Sequence, residues 1–407
     1  MDCVQTMQQA SVNKSKLNII YTILVILYPL LSMYRFLGTM LSIADACAIF
    51  VIILMMLRFF NTFAINKLFL GVGMFVFFHT ILMFLVNSSV DDYDTMDLFG
   101  TTMRLLLVYF ILSMAKNHFV FDFGKKLLVI VSLLATAYLF VQLLLSFGGV
   151  YVEGGIPFLT KYAFREDVAG YVEDVAKYGL NYRPRSFFEE PAHFCQYTIV
   201  AVALLMFDEN TMFNKKTLFV VFLALGIIFS MSLLGWVALL LIFLMWFFFS
   251  VKNRKYLLTM SFVIIVAPIV LAVLWNTTSV QNVIADKFLD QNVTSDARFA
   301  GISIIQEMLV DGEFVLFFGN GLVATDTYYN GVIRLIVSFG LLGGLIAILI
   351  FICSMRKYKN HLLSRVLLLL LLILSFGSEI IFGKYILIYL AFLQIKSANE
   401  NDQVILK

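Results

Sequence analysis

The chain has 407 residues, 61% of them hydrophobic and 14% charged, with a formal net charge of +3. Mean hydropathy is +0.94, far from the soluble balance of roughly half apolar and a quarter charged, so a water-soluble globular enzyme is excluded. The basic residues are accounted for by membrane topology, as set out below, so no nucleic-acid partner is implied.

Apolar runs of about 20 residues recur along the chain, each long enough to cross a hydrocarbon core as a helix. In chain order they predict helices near 17–36, 38–57, 67–86, 99–115, 126–147, 191–207, 217–231, 234–251, 257–275, 331–353, 364–377 and 380–395. The expected fold is therefore an all-α polytopic integral membrane protein of about twelve spans, a single membrane domain over 1–407. Two of these helices divide longer apolar stretches, at Ser230-Met231-Ser232-Leu233-Leu234-Gly235 and at Ser375-Phe376-Gly377-Ser378-Glu379. The first sixteen residues are polar with no cleavable apolar region, so the first helix is expected to act as an uncleaved anchor. Cys3, Cys47, Cys195 and Cys353 have neither metal-ligand nor disulfide spacing.

Charge placement orients the map. With a cytoplasmic N-terminus, most of the 29 Lys and Arg fall in short inside segments, from Lys14 and Lys16 through Lys252, Arg254 and Lys255 to Lys396. The outside loop 87–98 carries Asp91, Asp92, Asp94 and Asp97 and no basic residue. This is the positive-inside pattern, and it puts both termini in the cytoplasm. Two outside segments are too long to be connectors. Residues 148–190 include Val168, Tyr171, Val172 and Val175 at helical spacing, which predicts a surface amphipathic helix. Residues 276–330 include Ser295 or Asp296 as a cap before Phe299, Ile302, Ile305 and Leu309, then the turn Gly319-Asn320-Gly321.

Charge is densest where the first long loop meets a helix, at Arg183-Pro184-Arg185-Ser186-Phe187-Phe188-Glu189-Glu190-Pro191-Ala192-His193-Phe194. Pro191 suits a first helical turn, which sets Glu189 and Glu190 at a helix N-terminus where the dipole favours negative charge. Glu190, His193 and Tyr197 then share a face. Guanidinium groups bind phosphate, and a nearby carboxylate or imidazole handles a proton, so one reading is an anion-handling site. The other is an arginine–glutamate tether with Glu190 as a cap. Asp45 and Arg104, within predicted helices, read as a buried pair, and Lys384 as a residue reaching to the interface.

The string Arg183-Pro184-x-Ser186-Phe187-Phe188-x-Glu190-Pro191-Ala192-x-Phe194 resembles the signature of bacterial O-antigen polymerases, which are related to the O-antigen ligase-like membrane glycosyltransferases. Further pieces agree in order: Ser230-x-Ser232-x-x-Gly235, Arg298, Gly319-Asn320-Gly321, Tyr328-Tyr329-Asn330, and Phe339-Gly340-Leu341-Leu342-Gly343. The likeness covers roughly residues 90–390 and departs at Leu233, where the family often carries arginine after the paired serines.

That resemblance implies an enzyme of the bacterial inner (cytoplasmic) membrane with its active site facing the periplasm. It would join undecaprenyl-diphosphate-linked oligosaccharides, serving as donor and acceptor, into O-antigen or another surface polysaccharide. Arg183 and Arg298 are the implied diphosphate ligands, with Arg185 and Arg334 behind them. Glu190 and His193 are the candidates for the base that takes the acceptor proton. Tyr182, Tyr328 and Tyr329 are candidates for stacking on sugars. No Asp-rich metal box stands out, so metal-independent transfer without a cofactor is expected. The partners are the lipid-linked substrates and the bilayer, and a chain-length regulator protein is left open. The alternatives are a ligase that moves glycan to lipid A core and a lipid-linked oligosaccharide flippase. The flippase would predict internal repeats and short outside loops, which the chain lacks.

Overall fold

The computed structural model describes residues 2–36, 41–59, 65–87, 95–156, 159, 182–208, 216–250, 305, 308, 313–322 and 329–393. The predicted helix at 257–275, the amphipathic segment 164–178 and the Ser295–Asp296 cap lie outside them. Among the described residues the chain is all-helical, with one isolated bridge between Arg35 and Ser42. The helices are α1 (Asp2–Leu31), α2 (Ile43–Phe59), α3 (Lys67–Asn87), α4 (Thr95–His118), α5 (Phe121–Phe147) and α6 (Pro191–Phe207). They continue with α7 (Lys216–Phe229), α8 (Leu233–Ser250), α9 (Glu313–Phe318), α10 (Gly331–Lys357), α11 (Leu362–Ser375) and α12 (Ile386–Ala391).

Among the described residues, four helices are long and apolar enough to cross a membrane: Lys67–Asn87, Leu98–His118, Phe121–Phe147 and Gly331–Lys357. Their outer faces are apolar too. On α3, Phe69, Gly73, Val76, Thr80 and Met83 form the buried stripe, while Met74, Phe77, Phe78, Ile81 and Leu85 are exposed. A face of that kind suits hydrocarbon and not water, so the protein is membrane-embedded. The opposite case is α6, where every residue from Phe194 to Leu205 is buried. It forms the centre of the bundle, packed by α5, α7, α8, α11 and α12. Tyr197 donates to the carbonyl of Ile26, and Tyr389 to that of Gln196, tying α1 and α12 to it.

Both expected divisions appear. Ser230, Met231 and Ser232 form a tight turn between α7 and α8, with Met231 at φ 55°. The second division is wider than expected: residues 376–385 are turns, and among the described residues of the expected 380–395 span Ile386–Ala391 is helical. The reason is local. Gly377, Ser378 and Gly383 close short bonds such as Phe382 N to Glu379 O at 2.9 Å, while Glu379 and Lys384 reach sideways to partners.

Helix α10 holds a break that its apolar sequence does not announce. Gly340 has φ 64° and ψ −165°, outside helical geometry. A break frees carbonyls, and buried backbone groups must find partners. They find them in the Gly319-Asn320-Gly321 turn: Asn320 N donates to Val337 O at 2.8 Å, and Gly321 N to Ser338 O at 3.0 Å. His79 of α3 completes the joint by donating from Nε2 to Phe318 O at 2.6 Å, since a carbonyl can only accept. Its ring packs on Phe339 with centroids 4.7 Å apart.

Candidate functional site

The segment 182–190 is a plug set into the bundle. Ser186 takes φ 56°, an uncommon conformation for a residue with a side chain. Three hydrogen bonds hold it there. Its Oγ donates to Ala135 O at 2.6 Å, its N donates to Gln142 Oε1 at 2.7 Å, and its O accepts from Gly155 N at 2.9 Å. Gln142 lies five residues inside the end of α5, and Ala135 a further seven. At 1.5 Å rise per residue the turn's two anchors therefore lie about 8 and 18 Å below that helix end. Phe187 stacks on Tyr138 of α5 at 4.8 Å, with an interplanar angle of 8°. Phe188 is fully buried against Phe194 and Tyr197 of α6. Gly154 closes over the turn, and a Cβ there would stand 2.3 Å from Phe188 O. The Ser-Phe-Phe of the motif thus fixes the charged residues on either side of it.

Those charged residues meet the strap 378–385. Lys384 Nζ donates to Glu189 Oε1 at 2.8 Å, and His193 Nδ1 lies 3.3 Å from Glu189 Oε2. The His193 ring stacks on Tyr385, centroids 4.9 Å apart. Five residues earlier in the strap, Glu379 receives both contacts of Arg334 Nη1, at 3.1 and 3.3 Å. The strap also caps α10, because Gly331 N donates to Ser378 O at 2.9 Å. One ten-residue-scale segment therefore links α10, through Arg334, with the plug, through Glu189. Burial pushes the Glu189 carboxyl up, but Lys384 and the His193 ring together hold it well below the ordinary carboxylate range.

The candidates of the sequence fall as follows. Arg183 is half-buried, and its field reaches the Cys195 thiol, which contacts Ser230 Oγ at 3.1 Å. Arg185 donates to the Glu189 carbonyl at 3.2 Å. Glu190 occupies the N-cap position of α6, but its side chain makes no capping hydrogen bond and is exposed. The carboxylate that meets His193 is Glu189, one turn before it, so the shared face of Glu190, His193 and Tyr197 is not the contact that forms. Tyr182 donates to Val152 O at 2.6 Å and packs on Tyr151. Tyr329 is buried among Met308, Ile333 and Val337. Arg298 and Tyr328 lie outside the described residues.

The pairings of three residues are not visible in the sequence reading. Glu189 was legible in principle, standing four before a histidine at a helix start. Lys384 pairs with Glu189, 195 positions away, and nothing in its own neighbourhood marks that. Gln142, a polar residue in the apolar helix α5, anchors the plug through Ser186 N. Asp45, for its part, accepts from Tyr28 Oη at 2.5 Å and from Ser42 N at 3.2 Å. Among the described residues no group of three or more His, Cys, Asp or Glu is placed to hold a metal ion. No family model matches the chain, and no curated protein or solved structure matches it either.

Proposed function

We propose that the protein is a glycosyltransferase that polymerises undecaprenyl-diphosphate-linked oligosaccharide repeat units into a surface polysaccharide. It works in the bacterial cytoplasmic membrane as an approximately twelve-span protein with the plug facing the periplasm. The placement of basic residues in short loops supports that orientation. The observation that carries the reading is the cluster of Arg183, Arg185, Glu189, His193, Lys384 and the Arg334–Glu379 pair around a recessed turn in an otherwise apolar bundle. Ionisable groups at such a depth are costly and mark functional sites by default. The resemblance of residues 183–194 to the polymerase motif supports the same chemistry.

In the reaction, an acceptor sugar hydroxyl attacks the anomeric carbon of the donor glycan. The bond from that carbon to the phosphate oxygen breaks, and undecaprenyl diphosphate leaves with the electron pair. Negative charge grows on the diphosphate, so a fixed guanidinium beside it lowers the barrier. Arg183 and Arg298 take that role, with Arg185 and Arg334 at the margin. Arg334 is already neutralised by Glu379, which makes it the weaker ligand. A base near the acceptor removes the hydroxyl proton. Tyr182 and Tyr328 belong to the two long loops that would hold the sugars, whereas Tyr329 is buried in the core and is not a sugar contact.

The reading is tested at Arg183. Removing one such donor costs about 10²- to 10³-fold in rate. Arg183→Ala is therefore expected to abolish long chains in cells while the protein still inserts at its normal level, as seen by polysaccharide gel ladders and membrane immunoblots. A variant that keeps full-length ladders would contradict the assignment.

A further inference from the structure

We propose that Glu189 and His193 form an oriented carboxylate–imidazole dyad, with Lys384 fixing the carboxylate, so that His193 Nε2 is the atom that accepts the proton of the attacking hydroxyl. The inference rests on the glycosyl-transfer reading above. It moves the working carboxylate from the motif's Glu190 to its neighbour and adds a lysine from the far end of the chain.

The argument begins at His193 Nδ1. This nitrogen is buried and makes no well-aligned hydrogen bond. Its near neighbour is Glu189 Oε2, at 3.3 Å. The alignment is poor, so the contact is one of charge more than of a straight hydrogen bond. Its sign still selects a tautomer. A lone pair on Nδ1 would face a carboxylate oxygen at close range, whereas an N–H there meets opposite charge. A neutral ring carries one proton, so placing it on Nδ1 leaves Nε2 as an acceptor. Among the described residues no side chain or backbone group bonds to Nε2, and His193 is only half-buried. The free acceptor is on the part of the ring that a substrate can reach.

Glu189 cannot turn away from this duty. Lys384 takes its other oxygen at 2.8 Å, and Arg185 holds its backbone carbonyl at 3.2 Å. Tyr385 lies flat against the imidazole and fixes the ring plane. Glu190, Tyr34 and Tyr197 are further ionisable groups that act on Tyr385. A base whose orientation is set by a second group, itself held by a third, is the general arrangement for activating a hydroxyl. In the proposed step the hydroxyl proton passes to His193 Nε2, and the resulting imidazolium is stabilised by the Glu189 carboxylate. Lys384 and Tyr385 act through Glu189 and His193, so they are positioning residues.

The test reads the tautomer directly and does not depend on turnover. The protein has four histidines, so ¹⁵N-histidine labelling in lipid nanodiscs gives a simple spectrum. His193 is assigned by the signal lost in His193→Gln or, should that variant not accumulate, in His193→Asn. At alkaline pH the wild type is expected to show Nδ1–H with Nε2 unprotonated. Glu189→Gln has a single carbonyl oxygen, which Lys384 takes, so the amide NH₂ turns to Nδ1 and the tautomer inverts to Nε2–H. Lys384→Gln leaves Glu189 charged and keeps Nδ1–H. A wild-type Nε2–H tautomer overturns the dyad by itself, and so does an unchanged tautomer in Glu189→Gln.

Activity provides the second arm, with a synthetic undecaprenyl-diphosphate-linked trisaccharide as probe. Loss of an oriented base costs at least about 100-fold. Glu189→Gln and His193→Gln are therefore expected to lower kcat by that factor with KM little changed. Wild-type ladders together with the wrong tautomer would sink the dyad and leave the polymerase reading standing. The right tautomer with no wild-type product would do the reverse, removing the polymerase reading and leaving the dyad as geometry.

Discussion

Two carboxylates stand side by side before Pro191, and the backbone decides which of them meets a partner. Glu190 takes extended geometry at the helix cap, φ −136° and ψ 155°, and its side chain turns outward. Glu189 lies in the preceding bend, where Lys384 and His193 converge on it. Because those partners depress its carboxyl below the ordinary range, the sign of its pH dependence follows. The unfolded carboxyl titrates near pH ~4.3. The stabilisation from Glu189 is thus fully present above that value and is lost only as pH falls below it, through the lower folded value. Thermal unfolding is therefore expected to favour wild type over Glu189→Gln throughout pH 8 to about 5, with the gap closing below about pH 4. A gap already closed at pH 6 would show that Glu189 is not held as a carboxylate by these cations.

At the scale of elements, what the sequence made legible were the apolar runs and the punctuation inside them. Helices α3 to α8 fall within a few residues of expectation, and the Ser230–Ser232 turn lies where small polar residues interrupt the apolar run. The break in α10 was not legible. Phe339-Gly340-Leu341-Leu342 reads as continuous apolar helix, and the groups that satisfy the opened carbonyls sit some twenty positions earlier, in the Gly319–Gly321 turn. Capping across tertiary space leaves no local pattern. The same is true of Glu189 with Lys384 and of Ser186 with Gln142, so the motif's residues were visible while their partners were not. The break yields a clean expectation. Alanine at Gly340 would hold a strained φ of 64°, and its Cβ would stand 2.3 Å from the Phe317 carbonyl. Strain alone costs about 1–3 kcal/mol, before the Phe317 backbone is displaced. Gly340→Ala is expected to lower the thermal midpoint in detergent clearly, whereas Leu341→Ala, at an exposed apolar position next to it, changes it little. Equal midpoints for the two variants would contradict the break.

Among the described residues, two clusters of charged groups stand at opposite ends of the buried helix α6. At one end Lys125, fully buried at the start of α5, pairs with Asp208 at the C-cap of α6. At the other end are the plug, the strap and Arg183. The 17 residues of α6 separate them by about 25 Å. Such a division fits a protein that holds a lipid-linked substrate by its tail in the bilayer and by its diphosphate at one face. The direct measurement is reconstitution. Purified protein in lipid nanodiscs is incubated with undecaprenyl-diphosphate-linked repeat units, and the products are resolved by size. The account predicts a ladder of multiples of the repeat unit, with no other protein and no lipid A core present. Product only when lipid A core is added, or no product at all under either condition, would contradict it.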